Sequence, residues 1–163
     1  MRFSTPAVLV ILLALQILPS CSSPNGNNNA ANTSVANASN TAQTGPKDNI
    51  EELGMLVRLP FVPEEVAWEE KPDQKKLVAV LRFSPENAVK MAAEVAKNGQ
   101  PSADTLTVES WYPNELIAQG ELTGESTVKG RSYPAEPFLN PPYTKGKITR
   151  VENTDYFILQ ISS

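Results

Sequence analysis

The stretch VESWYPNEL, residues 108 to 116, sets two carboxylates, Glu109 and Glu115, on either side of Trp111 and Tyr112. Paired carboxylates beside an aromatic platform are the equipment of glycoside hydrolysis, which needs the two carboxyls roughly 5 to 10 Å apart across a cleft. Spacing along a chain does not establish that separation, and the competing reading is that the rings pack under a turn while the acids face water. The remaining repertoire is narrow. The chain contains no histidine and one cysteine, Cys21, so Ser-His and Cys-His nucleophilic sites and the common zinc and copper ligand sets are excluded. Neither a phosphate-cradling glycine pattern nor a calcium-loop pattern occurs. Catalysis would rest on carboxylate, lysine or tyrosine. We therefore assign no catalytic residue, no metal and no cofactor, and expect a non-catalytic domain.

A second group of residues suits recognition better than chemistry. SYPAEPFLNPPYTKG, residues 132 to 146, carries Pro134, Pro137, Pro141 and Pro142, too many missing donors for regular ladder bonding. An irregular loop on a rigid scaffold is a common place for binding, and proline reduces the entropy lost on docking. The surface predicted from it comprises Tyr133, Phe138, Tyr143 and Lys145, with Trp111 and Tyr112 as a further aromatic pair, and Lys129, Arg131 and Lys147 nearby. The alternative is that these rings cover the edge of a sheet.

Cys21 belongs to neither group. Arg2 precedes an apolar run, Ala7 to Leu18, of about a dozen residues, short of the roughly twenty that span a bilayer. It reads as an export signal. Leu18-Pro19-Ser20-Cys21 resembles the lipobox of bacterial lipoproteins, with Leu three places before the cysteine and a small residue directly before it; Pro19 stands where that family has a small or β-branched residue. The resemblance covers residues 1 to 21 only. It implies a signal peptide over residues 1–20, cleavage before Cys21, a diacylglyceryl thioether on its sulfur and acylation, as by palmitate, of the new amine. A single acyl chain anchors only marginally, whereas two or three on one residue hold firmly. Ordinary secretion, with a cut after Ser20, is the competing reading. Ser22, in place of the family's inner-membrane retention Asp, implies transfer to the outer membrane where the cell has two membranes.

Residues 21–49 form an expected tether. From Ser22 to Asn49 the chain is rich in Asn, Ala, Ser and Thr, with Val35 the one larger aliphatic residue. Such a composition cannot bury enough apolar surface to offset the entropy of ordering. Its root-mean-square reach as a flexible chain is about 30 Å.

The elements that position all these groups lie in residues 50–163, predicted as one small α+β domain with a mostly antiparallel sheet and one main helix. Residues 54 to 61, GMLVRLPF, read as a short strand closed by Pro60 and Pro63. Residues 65 to 83 read as a hairpin turning at Pro72-Asp73. Its second arm is apolar on both faces, which predicts an internal strand. Ser84 as N-cap, Pro85 at the first position and Gly99 after the last turn bracket a helix over about 84–98, with Ala88, Val89, Ala92, Val95 and Ala96 inward. A strand from Thr105 to Ser110, a short helical turn after Tyr112-Pro113, and a terminal hairpin over 147 to 162 complete the reading.

Charge excludes one partner class. The formal net charge is −4, against the basic footprint that nucleic-acid binding requires. Acids crowd between Glu51 and Asp73 while bases prevail between Lys129 and Arg150, a complementary surface distribution. The expectation is a lipid-anchored cell-envelope protein whose soluble domain binds a protein or glycan partner. A carboxylate-dependent envelope hydrolase and a structural envelope component are the alternatives.

Overall fold

The computed structural model describes residues 45–122 and 124–163. Leu18, Pro19, Ser20, Cys21 and the expected tether up to residue 44 lie outside the described residues. The domain is α+β, as expected, and its six strands form one wholly antiparallel sheet. In chain order the elements are α1 (Ile50–Leu56), β1 (Glu65–Lys71), β2 (Lys76–Arg82), α2 (Pro85–Val95), β3 (Ser102–Thr107), α3 (Asn114–Leu122), β4 (Thr127–Pro134), β5 (Lys145–Val151) and β6 (Tyr156–Ser162). The sheet order is β1-β2-β6-β5-β4-β3. The C-terminal hairpin is thus inserted beside β2, and the internal positions expected for β2 and β6 are what the structure has.

Strict alternation divides the core in two. Leu77, Ala79 and Leu81 of β2 with Phe157, Leu159 and Ile161 of β6 face α1, α2 and the 135–143 segment. Val78 and Val80 with Tyr156 and Ile158 face α3. Both strands are buried on both sides, which is why they read as continuous apolar runs. Trp68, Phe83 and Phe157 are the bulkiest fully buried side chains, each contributing about 1.5–3 kcal/mol of burial. Phe83 and Phe157 meet edge to face, centroids 5.5 Å apart.

Helix α2 forms where the signals place it. Ser84 Oγ accepts from Asn87 N at 3.3 Å, Pro85 opens the first turn, and a 3-10 turn over Ala96–Asn98 carries the chain to Gly99. Its inner face is Ala88, Met91 and Val95. Val89 is 65% exposed and Ala96 is exposed as well, a correction to the expected stripe: Met91, one turn beyond Ala88, fills the space instead.

Residues 50–56 also correct the sequence reading, being helix where 54–61 is expected as strand. Asn49 Oδ1 accepts from Glu52 N at 3.0 Å, and Glu51 and Glu52 occupy the first turn, where acids favour the helix dipole. The cap and the spacing of Leu53, Leu56 and Val57 prevail over the apolar run. Two further boundaries move. β3 begins at Ser102 rather than Thr105, and the turn after Pro113 is a helix of nine residues. β4 runs to Pro134, so only 135–144 of the proline-rich stretch is irregular.

The start of the domain is tied to its edge. Lys47 exchanges both backbone hydrogen bonds with Trp68, at 2.7 and 2.8 Å, shielding β1. Lys47 Nζ lies 4.5 Å from the Trp68 ring centroid and pairs with Glu52.

Candidate functional site

The residues singled out from the sequence fall into separate places. Phe138 and Tyr143 turn inward, 4% and 7% exposed, and join the core beneath α1 and α2. Tyr143 donates from its hydroxyl to Glu70 Oε1 at 2.9 Å; burial first, then this bond, pushes its phenol pKa up. The segment therefore presents its prolines outward, while its rings join the core on the α1 and α2 side of the sheet. Tyr133 is half-buried on β4 and Lys145 is exposed on β5.

Trp111 and Tyr112 lie on the opposite face of the sheet. Tyr112 is buried, with its ring 4.6 Å from that of Trp111 at 71°, and burial, then the Glu109 charge, raises its phenol pKa. Trp111 is half-buried and lines, with Ala67 and residues 46–49, a depression of about 500 Å³. Glu109 has both oxygens occupied: Lys71 Nζ donates to them at 3.0 and 2.9 Å, and Trp111 Nε1 donates to one at 3.1 Å. The bond to Glu109 is the chief cause that raises the Lys71 pKa. Glu115 accepts instead from the Tyr156 hydroxyl at 3.3 Å. Lys71 ends β1, whereas Tyr156 shares a rung with Arg82 and Glu65 at its other end. The two anchoring backbones are thus roughly 20 Å apart along the strands, and each carboxylate is held in its own contact.

The basic residues between 129 and 150 divide between the two faces of the sheet. Lys145 and Lys147 project on the α3 side. Lys147 Nζ donates to Asp104 Oδ2 at 2.6 Å, and Ser132 Oγ donates to the same oxygen at 2.6 Å. Ser132 Oγ is also 2.6 Å from Thr149 Oγ1. Lys129, Arg131 and Arg150 project on the other face. Arg131 and Arg150 are directly opposite each other in the β4–β5 register. With Tyr133, Val151, Glu152 and Asn153 they line a depression of about 320 Å³. Among the described residues, neither guanidinium makes a hydrogen bond or an ion pair.

Sequence reasoning missed this pairing because register across the 135–144 segment is invisible in one dimension. The available signal is the spacing of charge in VKGRSY and KITRV: alternation puts Lys129 and Arg131 of β4 on one side and separates Arg150 from Lys147 of β5.

Among the described residues no helix is long and apolar enough to cross a membrane, and no group of three or more His, Cys, Asp or Glu side chains is placed to hold a metal ion. No family model, curated protein or solved structure matches the chain.

Proposed function

We propose that this chain is a lipid-anchored cell-envelope protein whose α+β domain binds an envelope partner, protein or glycan, without catalysing a reaction on it. The observation that carries the reading is the sequence Leu18-Pro19-Ser20-Cys21 at the end of a short apolar run, followed by a polar segment and then a folded domain. Cys21 is the lipidated residue in this account, and Ser22 directs the protein to the outer membrane of a two-membrane cell.

The binding role is supported by the state of the acids. Glu109 is neutralised by Lys71 and bonded by Trp111, and Glu115 is bonded by Tyr156, so the two carboxylates that a hydrolase would use are engaged in separate structural contacts. A depression lined by unpaired cations offers recognition without a nucleophile. Cross-linking in intact envelopes, followed by identification of the captured partner, tests the reading. Glu109→Gln and Glu115→Gln should leave the captured partner and the cellular phenotype unchanged; a folded Glu115→Gln variant that loses function would favour the hydrolase.

A further inference from the structure

We propose that the depression between β4 and β5 is a binding site for an acidic sugar, with Arg131 and Arg150 taking its carboxylate. The inference deepens the envelope-binding reading and rests on it for its biological setting.

Val66, Leu81, Phe157, Arg150, Arg131 and Ala103 are successive partners across all six strands. The first three are buried under the helical layer, whereas Arg150 is half-buried and Arg131 exposed. Two guanidiniums directly opposite one another are a destabilising cross-strand pair, and neither can relieve the repulsion by losing its proton. Lys129, two residues from Arg131, adds a third positive charge to the same face. The other cations that contact acids show how this protein ordinarily deals with charge: Lys71 has Glu109, Lys147 has Asp104, Arg82 has Glu65. The Arg131–Arg150 pair departs from that pattern, and an anion shared between the two forks would convert a repulsive rung into an attractive one.

The other lining residues select among anions. Glu152 lies in the same depression, which disfavours a bare polyphosphate but gives a hydrogen-bond acceptor to a hydroxyl. Asn153, held at φ 60° in the β5–β6 turn, adds an amide with both donor and acceptor. Tyr133, half-buried on the same face, supplies apolar surface for the C–H side of a ring. A cationic pair, hydroxyl-directed polar groups and an apolar flank together match a pyranose bearing a carboxylate. The volume, about 320 Å³, is at the small end of ligand sites, roughly 300–1,000 Å³, and suits one or two sugar units.

Titration of the ¹⁵N-labelled full chain with methyl β-D-glucuronide, methyl β-D-glucoside and inorganic phosphate tests this. The glucuronide should give saturable amide shifts confined to residues 129–133 and 148–153, at up to tens of millimolar. The glucoside, which carries a neutral hydroxymethyl group in place of the carboxylate, should give none, and phosphate should bind at least several-fold more weakly. Arg131→Gln and Arg150→Gln should each weaken glucuronide binding about tenfold or more while leaving the melting temperature equal or higher, an outcome that a purely structural arginine would not produce. Absence of saturable glucuronide shifts, equal response to the glucoside, or phosphate binding as tightly as the glucuronide would each overturn the proposal. The titration needs no membrane, so its failure would leave the anchoring claim standing, and loss of the anchor would leave the sugar site standing.

Discussion

Asp104 of β3 and Lys147 of β5 meet across the strand that separates them, Nζ to Oδ2 at 2.6 Å, over the side chain of Ser132 on β4. Three strands are thereby tied by one carboxylate oxygen, with buried Thr149 completing the polar group. The arrangement lies on the α3 side of the sheet, where the polar alternation of β4 leaves little apolar surface to bury. Burial pushes the Asp104 carboxyl up, but the bonds from Lys147 and Ser132 and the Lys147 charge outweigh it and hold it below the ordinary aspartate range.

Asp104→Asn should therefore lower stability at pH 7 by about 1–2 kcal/mol, reduced from a fully buried pair because the Lys147 side chain is 42% exposed. The carboxyl is depressed in the folded state, so its contribution is present above the ordinary pKa, about 3.9, and is lost as pH falls through the lower folded value. Urea unfolding of parent and variant should show a gap at pH 7 that closes toward about pH 2–3. A gap that persists undiminished at the acid end would contradict the assignment.

Alkaline titration tests the burial of the aromatic residues. Burial, with the charge and bond of Glu115, pushes the Tyr156 phenol up to about 12, and burial likewise raises Tyr112 and Tyr143. These are raised folded-state values, so the stability they confer is full below the unfolded pKa, about 10, and is lost as pH rises toward the folded ones. Absorbance at the phenolate band should show those three of the four tyrosines largely neutral at about pH 11 while the chain stays folded, with their ionisation accompanying unfolding. Ionisation of all four near pH 10 without unfolding would show the rings to be solvent-accessible.

Two glycines in the sheet should be intolerant of any side chain. A Cβ at Gly130 would come 2.5 Å from the Arg150 carbonyl oxygen, and one at Gly146 would come 2.5 Å from that of Gln160. Both obstacles are backbone. Gly130→Ala and Gly146→Ala should each cost about 1–3 kcal/mol, the usual range for forced overpacking. Gly54, in α1 with nothing within 4 Å of the added atom, should behave in the opposite sense: Gly54→Ala stabilises by about 0.5–1 kcal/mol through helix propensity. Thermal melts of the three variants check the contrast, and equal losses in all three would refute it.

What could be read from the sequence was what local chemistry decides. The Pro72-Asp73 turn, the Ser84-Pro85 start of α2 and the two-faced apolar pattern of β2 and β6 each depend on neighbours in the chain, and each appears in the structure as expected. Residues 50–56 went the other way because Met55, Leu56 and Val57 read as a strand when the Asn49 cap is given too little weight. β4 was hidden for a different reason: its inward side chains on the α3 face include Gly130 and Ser132, so it lacks the apolar alternation that marks a strand. For the site, Trp111, Tyr133 and Lys145 retain exposure, whereas the burial of Tyr112, Phe138 and Tyr143 depends on helices and strands distant in sequence. The opposition of Arg131 and Arg150 depends on strand register, which no local pattern encodes.

Lipid anchoring is decided by how the mature chain begins. Mass spectrometry of the protein purified from its own cells should find Cys21 as the first residue, carrying a diacylglyceryl thioether and a mass consistent with two or three acyl chains, and Cys21→Ala should leave the membrane fraction. An unmodified amino terminus at another residue, or a Cys21→Ala protein that stays membrane-bound, would contradict it.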